Sequence, residues 1–421
     1  MTAVEPPARA RTSVTIAPDA GTSVTHHVVL VPGFFGFGRF GELTYFNGVR
    51  EVLESAFARL GLSVTITEVM TLPTASIRVR AARVVETLAR IARATEGPIH
   101  IIGHSTGGLD SRLAIAPTAS LPATEEFAAH DRIHSLVTVC CPHFGTPIAT
   151  FFSSSMGKPL LRLVARYFIW LLRRGRLPLA LALRLGYAIV RLRDPLRKRR
   201  STFDELYEKL LNDFSDERRV ELINFLDAVS RDQSLLFQLT PAGCDLLNAC
   251  TADPDVAYGS VVTRARSPSF KSLLGSVWDL YSQIMHPLYA WLYFIAARGE
   301  NLLIPQAADE QSQALARAWG SLPSARANDG VVHTNSQIWG EIVHVTTADH
   351  LDVVGQYGRI DALSWAADWI PSYSGFSGAE FEALWNDVAA FITRQALARP
   401  ASSATRQGTE RTEKDIVPDS V

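Results

Sequence analysis

Two rhythms of apolar residues take turns along this chain. Short apolar or alternating runs at His26–Val31, Ser63–Val69, Pro98–Ile102, His134–Cys140, Val256–Thr263 and Ile342–Thr346 predict strands. Between them, apolar positions recur at helical spacing over residues 41–60 and 75–95, as in Ile77, Val84, Val85, Leu88 and Ile91. Further helices are expected from Gly108 onward, over Leu235–Ala249, and over residues 378–397, where Phe381, Leu384, Trp385, Val388, Phe391 and Ile392 recur. Alternating strands and helices predict an α/β fold, a mostly parallel sheet flanked by helices.

The alternation stops near residue 150. Residues 151–236 predict a helical insertion that is both apolar and basic. From Pro159 to Val190 its apolar run is interrupted by Arg162, Arg166, Arg173, Arg174, Arg176 and Arg184, and Arg191–Arg200 is strongly basic. A spanning helix needs about 20 apolar residues in a row. Two expectations remain for this segment: a cap with solvated arginines, or an amphipathic surface over residues 159–200 that meets anionic lipid. Residues 266–300 predict a second apolar lid piece, broken at His286-Pro287. The expected division is a disordered tail (1–25), core (26–150), cap (151–236), core (237–265), lid segment (266–300), core (301–397) and a second tail (398–421).

Composition narrows the class. The chain has 421 residues, 47% hydrophobic and 20% charged, with net charge −1. Such a balance is that of a globular protein and argues against a nucleic-acid partner. Cys140, Cys141, Cys244 and Cys250 lack metal-ligand spacing and are expected as buried free thiols. The start, Met1-Thr-Ala-Val-Glu-Pro-Pro, lacks the charged-then-apolar pattern of a secretory signal. The expected location is cytoplasmic, or peripheral at the inner membrane face.

Candidate chemistry centres on Gly103-His104-Ser105-Thr106-Gly107. A predicted strand precedes it and a predicted helix follows, which is the setting of a nucleophile elbow. The turn is so sharp that side chains two residues from the serine would clash, so Gly103 and Gly107 are needed there. A serine hydroxyl is a weak nucleophile unless a base lies within hydrogen-bond reach and a carboxylate orients that base. Ser105, Asp329 and His350 supply these groups in the chain order this arrangement uses. His143, His286, His333 and His344 are rival bases, and Asp349 and Asp352 flank His350 too closely to orient its ring easily. Upstream, Pro32-Gly33-Phe34-Phe35-Gly36 follows a strand without dinucleotide or P-loop spacing. The backbone N–H groups of Phe34 and Thr106 are the expected oxyanion donors.

These motifs, taken together, resemble the bacterial true lipases, the triacylglycerol lipases of the Pseudomonas and Burkholderia type. The likeness rests on Val29-Leu-Val-Pro-Gly-Phe34, Gly103-His-Ser-Thr-Gly-Gly108, His143-Phe-Gly-Thr-Pro147, Asn328-Asp-Gly-Val-Val332 and Asp349-His-Leu-Asp-Val-Val-Gly-Gln356. It implies an α/β-hydrolase fold, the Ser105–Asp329–His350 triad, and Phe34 and Thr106 as oxyanion donors. It also implies a structural calcium held by Asp352, Gln356 and the Ile360 carbonyl. The acid that the family carries upstream is missing from Leu302-Leu-Ile-Pro305, where Asp309 is the substitute. The chemistry itself needs no cofactor. The expected function is a serine carboxylic ester hydrolase acting on lipid esters. The alternatives are an acyltransferase or intracellular polyester depolymerase with the same nucleophile, or a non-catalytic membrane-surface protein on this scaffold.

Overall fold

A computed structural model describes residues 24–36, 39–40, 43–123, 127–154, 231–249, 252–268, 280–298, 302–358 and 372–399. Most of the expected cap, including all of 159–200, lies outside the described residues, as do Cys250, Ile360 and nearly all of both expected tails.

Six strands form one sheet: β1 (His26–Val31), β2 (Val64–Glu68), β3 (Ile99–His104), β4 (Ile133–Val139), β5 (Ala257–Arg264) and β6 (Glu341–Thr347). Their order is β2-β1-β3-β4-β5-β6, and every pairing is parallel. Every residue of β1, β3 and β4 is buried, as a parallel sheet covered on both faces requires. Val28 and Leu30 of β1 point into one apolar layer and Val29 and Val31 into the other. Helices α1 (Val49–Arg59) and α9 (Gly378–Ala398) fill the first layer, where Trp385 is fully buried and its indole N–H donates to the Val353 carbonyl at 3.1 Å. Removing such a ring costs about 3–5 kcal/mol. Helices α2 (Ile77–Ala94) and α3 (Thr106–Ala114) pack on the other face, together with α8 (Asp309–Trp319) near β5 and β6. This is the α/β-hydrolase fold.

Helix ends follow local chemistry. Ser76 caps α2 by accepting the Val79 N–H, and the helix stops before Gly97-Pro98. Ser377 and Glu380 form a reciprocal capping box at α9. Three expectations need correction. The helix expected over 41–60 covers only Val49–Arg59. The one over Leu235–Ala249 is two helices, α5 (Ser234–Gln238) and α6 (Pro241–Asn248), because Thr240 caps a new start with Pro241 in its first turn. The break at His286-Pro287 is absent: Pro287 lies inside one helix, α7 (Leu280–Ala296). No helix among the described residues is long and apolar enough to cross a membrane.

The sheet order places the site. β1 has β2 on one side and β3 on the other, so the connections through α1 and α2 leave on opposite faces. A crevice opens where they diverge, at the carboxyl ends of β1 and β3. Val31 pairs with Gly103 there, so the turns after β1 and β3 emerge side by side.

The opposite edge of the sheet holds a histidine cluster. His26 Nδ1 lies 3.1 Å from His100 Nε2, and His100 Nδ1 lies 2.8 Å from Ser135 Oγ. His134 packs edge-on to His100. Burial, reinforced by His26 and His134, holds the His100 pKa well below the usual 6.5, and burial lowers His134 to about 4. In the unfolded chain both titrate near 6.5. Their contribution to stability is therefore complete above pH 6.5 and is lost as pH falls below it. We expect the urea midpoint to drop between pH 7.5 and pH 5, and to drop less in His100→Gln. Equal drops in the two proteins would refute this account.

Candidate active site

Ser105 sits between β3 and α3 with φ 54° and ψ −126°, a conformation that side chains rarely adopt. Its N–H donates to the Val139 carbonyl at 2.8 Å, and its carbonyl accepts the Gly108 N–H at 3.1 Å. The turn leaves no room around it. A Cβ at Gly103 would lie 2.6 Å from the Gly107 backbone, and one at Gly107 would lie 2.2 Å from the Val31 carbonyl oxygen. The expected need for both glycines therefore has a direct steric cause.

The expected partners converge on this serine. His350 Nε2 lies 2.9 Å from Ser105 Oγ, and His350 Nδ1 lies 2.7 Å from Asp329 Oδ2. Asp329 Oδ1 accepts the N–H groups of Val331 and Val332 at 2.9 and 2.7 Å, and its Oδ2 accepts Gln337 Nε2–H at 3.2 Å. Every group near the carboxylate thus donates to it or can, and the proton between it and the ring belongs on His350 Nδ1. Nε2 is then the acceptor for the Ser105 hydroxyl. The loops carrying the two residues are tied directly, since the His350 N–H donates to the Asp329 carbonyl at 3.0 Å.

Both expected oxyanion donors are unengaged. In the turn after β1, the Gly33 N–H donates to Tyr45 Oη, the Phe35 N–H to Pro73 O and the Gly36 N–H to Gly33 O. Among the described residues, the Phe34 N–H has no acceptor. Thr106 opens α3, and the first N–H of a helix has no partner within it. Gly33 lies against the nucleophile: a Cβ there would be 2.7 Å from Ser105 Cβ. Among the described residues, two N–H donors without an acceptor thus stand in the turns on either side of Ser105, one of them at a helix N-terminus.

His104 links these parts. Its Nε2 lies 3.0 Å from the His350 carbonyl and its Nδ1 lies 2.7 Å from Tyr45 Oη. Burial, and then the neighbouring His350, push its pKa well below the usual value. It is neutral, donates to His350 and accepts from Tyr45, which in turn accepts from Gly33. The rival bases are occupied elsewhere. His143 lies between Arg112 and Thr138, His333 Nε2 donates to the Ala325 carbonyl, His344 pairs with Asp387, and His286 stacks near Tyr289 and Tyr373.

Two residues of this network, Tyr45 and Gln337, carried no expectation from sequence, nor did Arg80, which donates to the Pro32 and Gly33 carbonyls behind the turn. Gln337 and Tyr45 have no local signature. Arg80 had one, as a charge on the buried stripe of α2 between Ile77 and Val84.

Among the described residues the expected calcium ligands are split: Asp352 and Gln356 share one loop, Asp309 lies apart, and Ile360 falls outside them. Asp352 Oδ2 already accepts the Asp349 N–H and the Ser374 hydroxyl at 2.8 and 2.7 Å. Gln356 is buried nearby in sequence, but Asp309 stands at the start of α8. Gln311, two residues on, donates to Gly340, just before β6, whereas Asp352 follows the end of that strand. Seven strand residues separate them by roughly 23 Å. Among the described residues, the only group of three such side chains with ligand atoms in mutual reach is His104, Cys140 and His350. Calcium takes six or more oxygens, and among the described residues Asp352 and Gln356 alone do not supply that number.

Residues 22–185, less than half of the chain, match the model of a family described as "Putative serine esterase (DUF676)". The chain matches none of the curated proteins with which it was compared. Among solved structures it is similar to the metagenomic carboxyl esterase MGS0156 (17% identity, 91% of this chain and 82% of that one, TM-score 0.44). It is also similar to a Staphylococcus hyicus lipase (16%, 91% and 99%, TM-score 0.46) and to EstA from Clostridium botulinum (18%, 90% and 89%, TM-score 0.45). Likeness at this level carries nothing about activity.

The elbow generates a prediction. In Gly107→Ala the new methyl meets backbone, which cannot swing aside as a side chain can. We expect that variant to be insoluble or to melt well below the wild type. A scanning-calorimetry midpoint equal to the wild type would show that the turn relaxes freely.

Proposed function

We propose that this chain is a serine carboxylic ester hydrolase that works through an acyl-enzyme. The observation that carries the proposal is the unbroken hydrogen-bonded line Ser105–His350–Asp329 beside two unengaged N–H donors. Ser105 Oγ attacks the ester carbonyl carbon as its proton passes to His350 Nε2. The carbonyl π pair moves to oxygen, where the Phe34 and Thr106 N–H groups receive it. The tetrahedral adduct collapses and the imidazolium gives its proton to the departing alkoxide. Water then enters, loses a proton to the same nitrogen and releases the acid, which restores Ser105. Asp329 holds the tautomer throughout and offsets the positive ring.

An apolar acyl group is favoured by the residues around the mouth. Phe34, Phe151, Trp291, Leu292 and Val331 are only partly buried and pack against Phe35, Ile148, Phe152 and Leu236. An acyl chain laid on them gains about 0.8 kcal/mol per methylene removed from water. Lipid esters are the substrate class we assign on that basis. The finer kinship to the true lipases is carried by the motifs at 29–34, 103–108, 143–147, 328–332 and 349–356.

Hydrolysis of nitrophenyl esters of increasing chain length tests this. Ser105→Ala should abolish turnover and fluorophosphonate labelling. Asp329→Asn should keep the fold and lower kcat by about 10⁴-fold, because the ring then settles in the wrong tautomer. Turnover that persists in Ser105→Ala would end the proposal. Formation of a new ester when an alcohol is offered would reassign the second step to acyl transfer.

A further inference from the structure

Arg80 is a full charge inside the protein, with a side chain wholly shielded from solvent. Burying a guanidinium costs several kcal/mol unless it is paired and hydrogen-bonded. Its carboxylate partner is Asp110, whose Oδ2 lies 2.8 Å from both Nε and Nη2. Yet the pair is poorly arranged for stability, since Asp110 Oδ1 is buried and has no hydrogen-bond partner among the described residues. The other donors of Arg80 all point one way. Nη1 donates to the Leu72 carbonyl. Nη2 donates to the Pro32 carbonyl at 2.9 Å and the Gly33 carbonyl at 3.1 Å, and lies 3.3 Å from Thr106 Oγ1.

One of these acceptors, the Gly33 carbonyl, is the rear of the peptide that carries the Phe34 N–H, and another, Thr106 Oγ1, belongs to the residue of the second donor. In a trans peptide the C=O and N–H point in opposite directions, and no described peptide is cis. Holding the Gly33 carbonyl from behind therefore aims the Phe34 N–H forward, toward Ser105. Holding the Pro32 carbonyl likewise turns the Gly33 N–H to Tyr45, where it is received at 2.9 Å. The Gly36 N–H also reaches the Gly33 carbonyl, but it belongs to the same turn and would move with it. The bonds from the Gly33 N–H to Tyr45 and from the Phe35 N–H to Pro73 also tie that turn to other segments. Among the described residues, however, it is Arg80, anchored in the first turn of α2, that holds the Gly33 carbonyl and also touches Thr106, the residue of the second donor.

We infer that Arg80 is a positioning residue that aims the oxyanion donors, fixing the Gly33–Phe34 peptide and the Thr106 side chain from behind the nucleophile. This inference rests on the ester-hydrolase proposal. The guanidinium never meets substrate. It sets a geometry that matters in the transition state more than in the ground state, so its loss falls on kcat and not on KM.

The decisive variant is the double change Arg80→Met with Asp110→Leu. It removes both buried charges together, and such apolar replacement of a buried pair often preserves or raises stability. We expect its melting temperature to stay near that of the wild type and KM to change by less than about threefold. We expect kcat to fall by about 10- to 100-fold, short of the 10²–10³ for deleting a donor outright. Affinity for a trifluoromethyl ketone, whose hemiketal oxyanion fills the same place, should fall in the same proportion. A folded double variant with unchanged kcat and unchanged ketone affinity overturns the inference. If the double variant does not fold, Arg80→Lys decides by the same readouts, since it keeps a cation beside Asp110 but cannot fork to both carbonyls. Wild-type protein without Ser105-dependent turnover would instead sink the ester-hydrolase proposal, and this inference with it. Wild-type turnover with an unaffected variant sinks this inference alone.

Discussion

A left-handed backbone at one serine is the constraint on which the structure depends. Ser105 has a φ of 54°, which costs on the order of 1–3 kcal/mol for a residue with a side chain. The strain persists because the surroundings determine it several times over. Its N–H is bound to β4, its carbonyl to α3, and the glycines on either side are packed against backbone. The neighbouring strand ends in the same way. Cys140, just after β4, has φ 51° and donates its N–H to Val261 of β5. Two adjacent strands thus finish in strained turns, each tied to the next strand over. The carboxyl edge of the sheet becomes a rigid ledge, and Ser105 and the Asp329 loop stand on it.

Electrostatics at this ledge are simplified by burial. Burial pushes His104 and His143 down, helped by His350 and Arg112, and pushes Cys140 up, helped by Asp329. It also pushes Tyr45 up against the opposing pull of the Gly33 N–H and Arg80, so all four are uncharged near neutral pH. Cys140 lies near Asp329 and would place a second negative charge there if it ionised. Its thiol lies 3.1 Å from Thr263 Oγ1, and the nearby carboxylates raise its pKa further. What remains near Ser105 is the Asp329 carboxylate, the proton on His350, the positive end of α3 and, behind the turn, the Arg80–Asp110 pair. A dry site with few charges makes each of them count for more than in water.

Much of this was legible in the amino-acid order, for local reasons. Strands buried on both faces announce themselves as apolar runs, and the elbow needs glycines at fixed spacing. The chain order of Ser105, Asp329 and His350 follows from which strands end at one edge. The misjudged elements were those decided by packing or capping. Pro287 reads as a break, yet α7 continues through it. Thr240-Pro241 reads as part of one helix, yet a side-chain cap starts a second. Tyr45 and Gln337 act through contacts with residues distant in the chain, and nothing near them in sequence marks that. Asp309 is the reverse case: near the right place in sequence, it lies at the wrong end of β6.

The acids around His350 show why distance along the chain mattered. Asp349 Oδ1 accepts the N–H groups of Leu351 and Asp352, and Asp352 Oδ2 accepts the N–H of Asp349. Ser372 and Ser374, from the segment leading into α9, complete the two carboxylates. Each flanking acid thus folds back on the loop's own backbone, as short acidic side chains do when N–H groups lie two or three residues away. Neither is bonded to the His350 ring. An acid far away in sequence can approach Nδ1 in line, and Asp329 does so from a loop joined to β5 through the Asn328 carbonyl and the Ala265 N–H. Local carboxylates shape the loop and a distant one orients the ring. That division follows from the reach of an aspartate, and it is why the acids nearest His350 in sequence are not the one bonded to its ring.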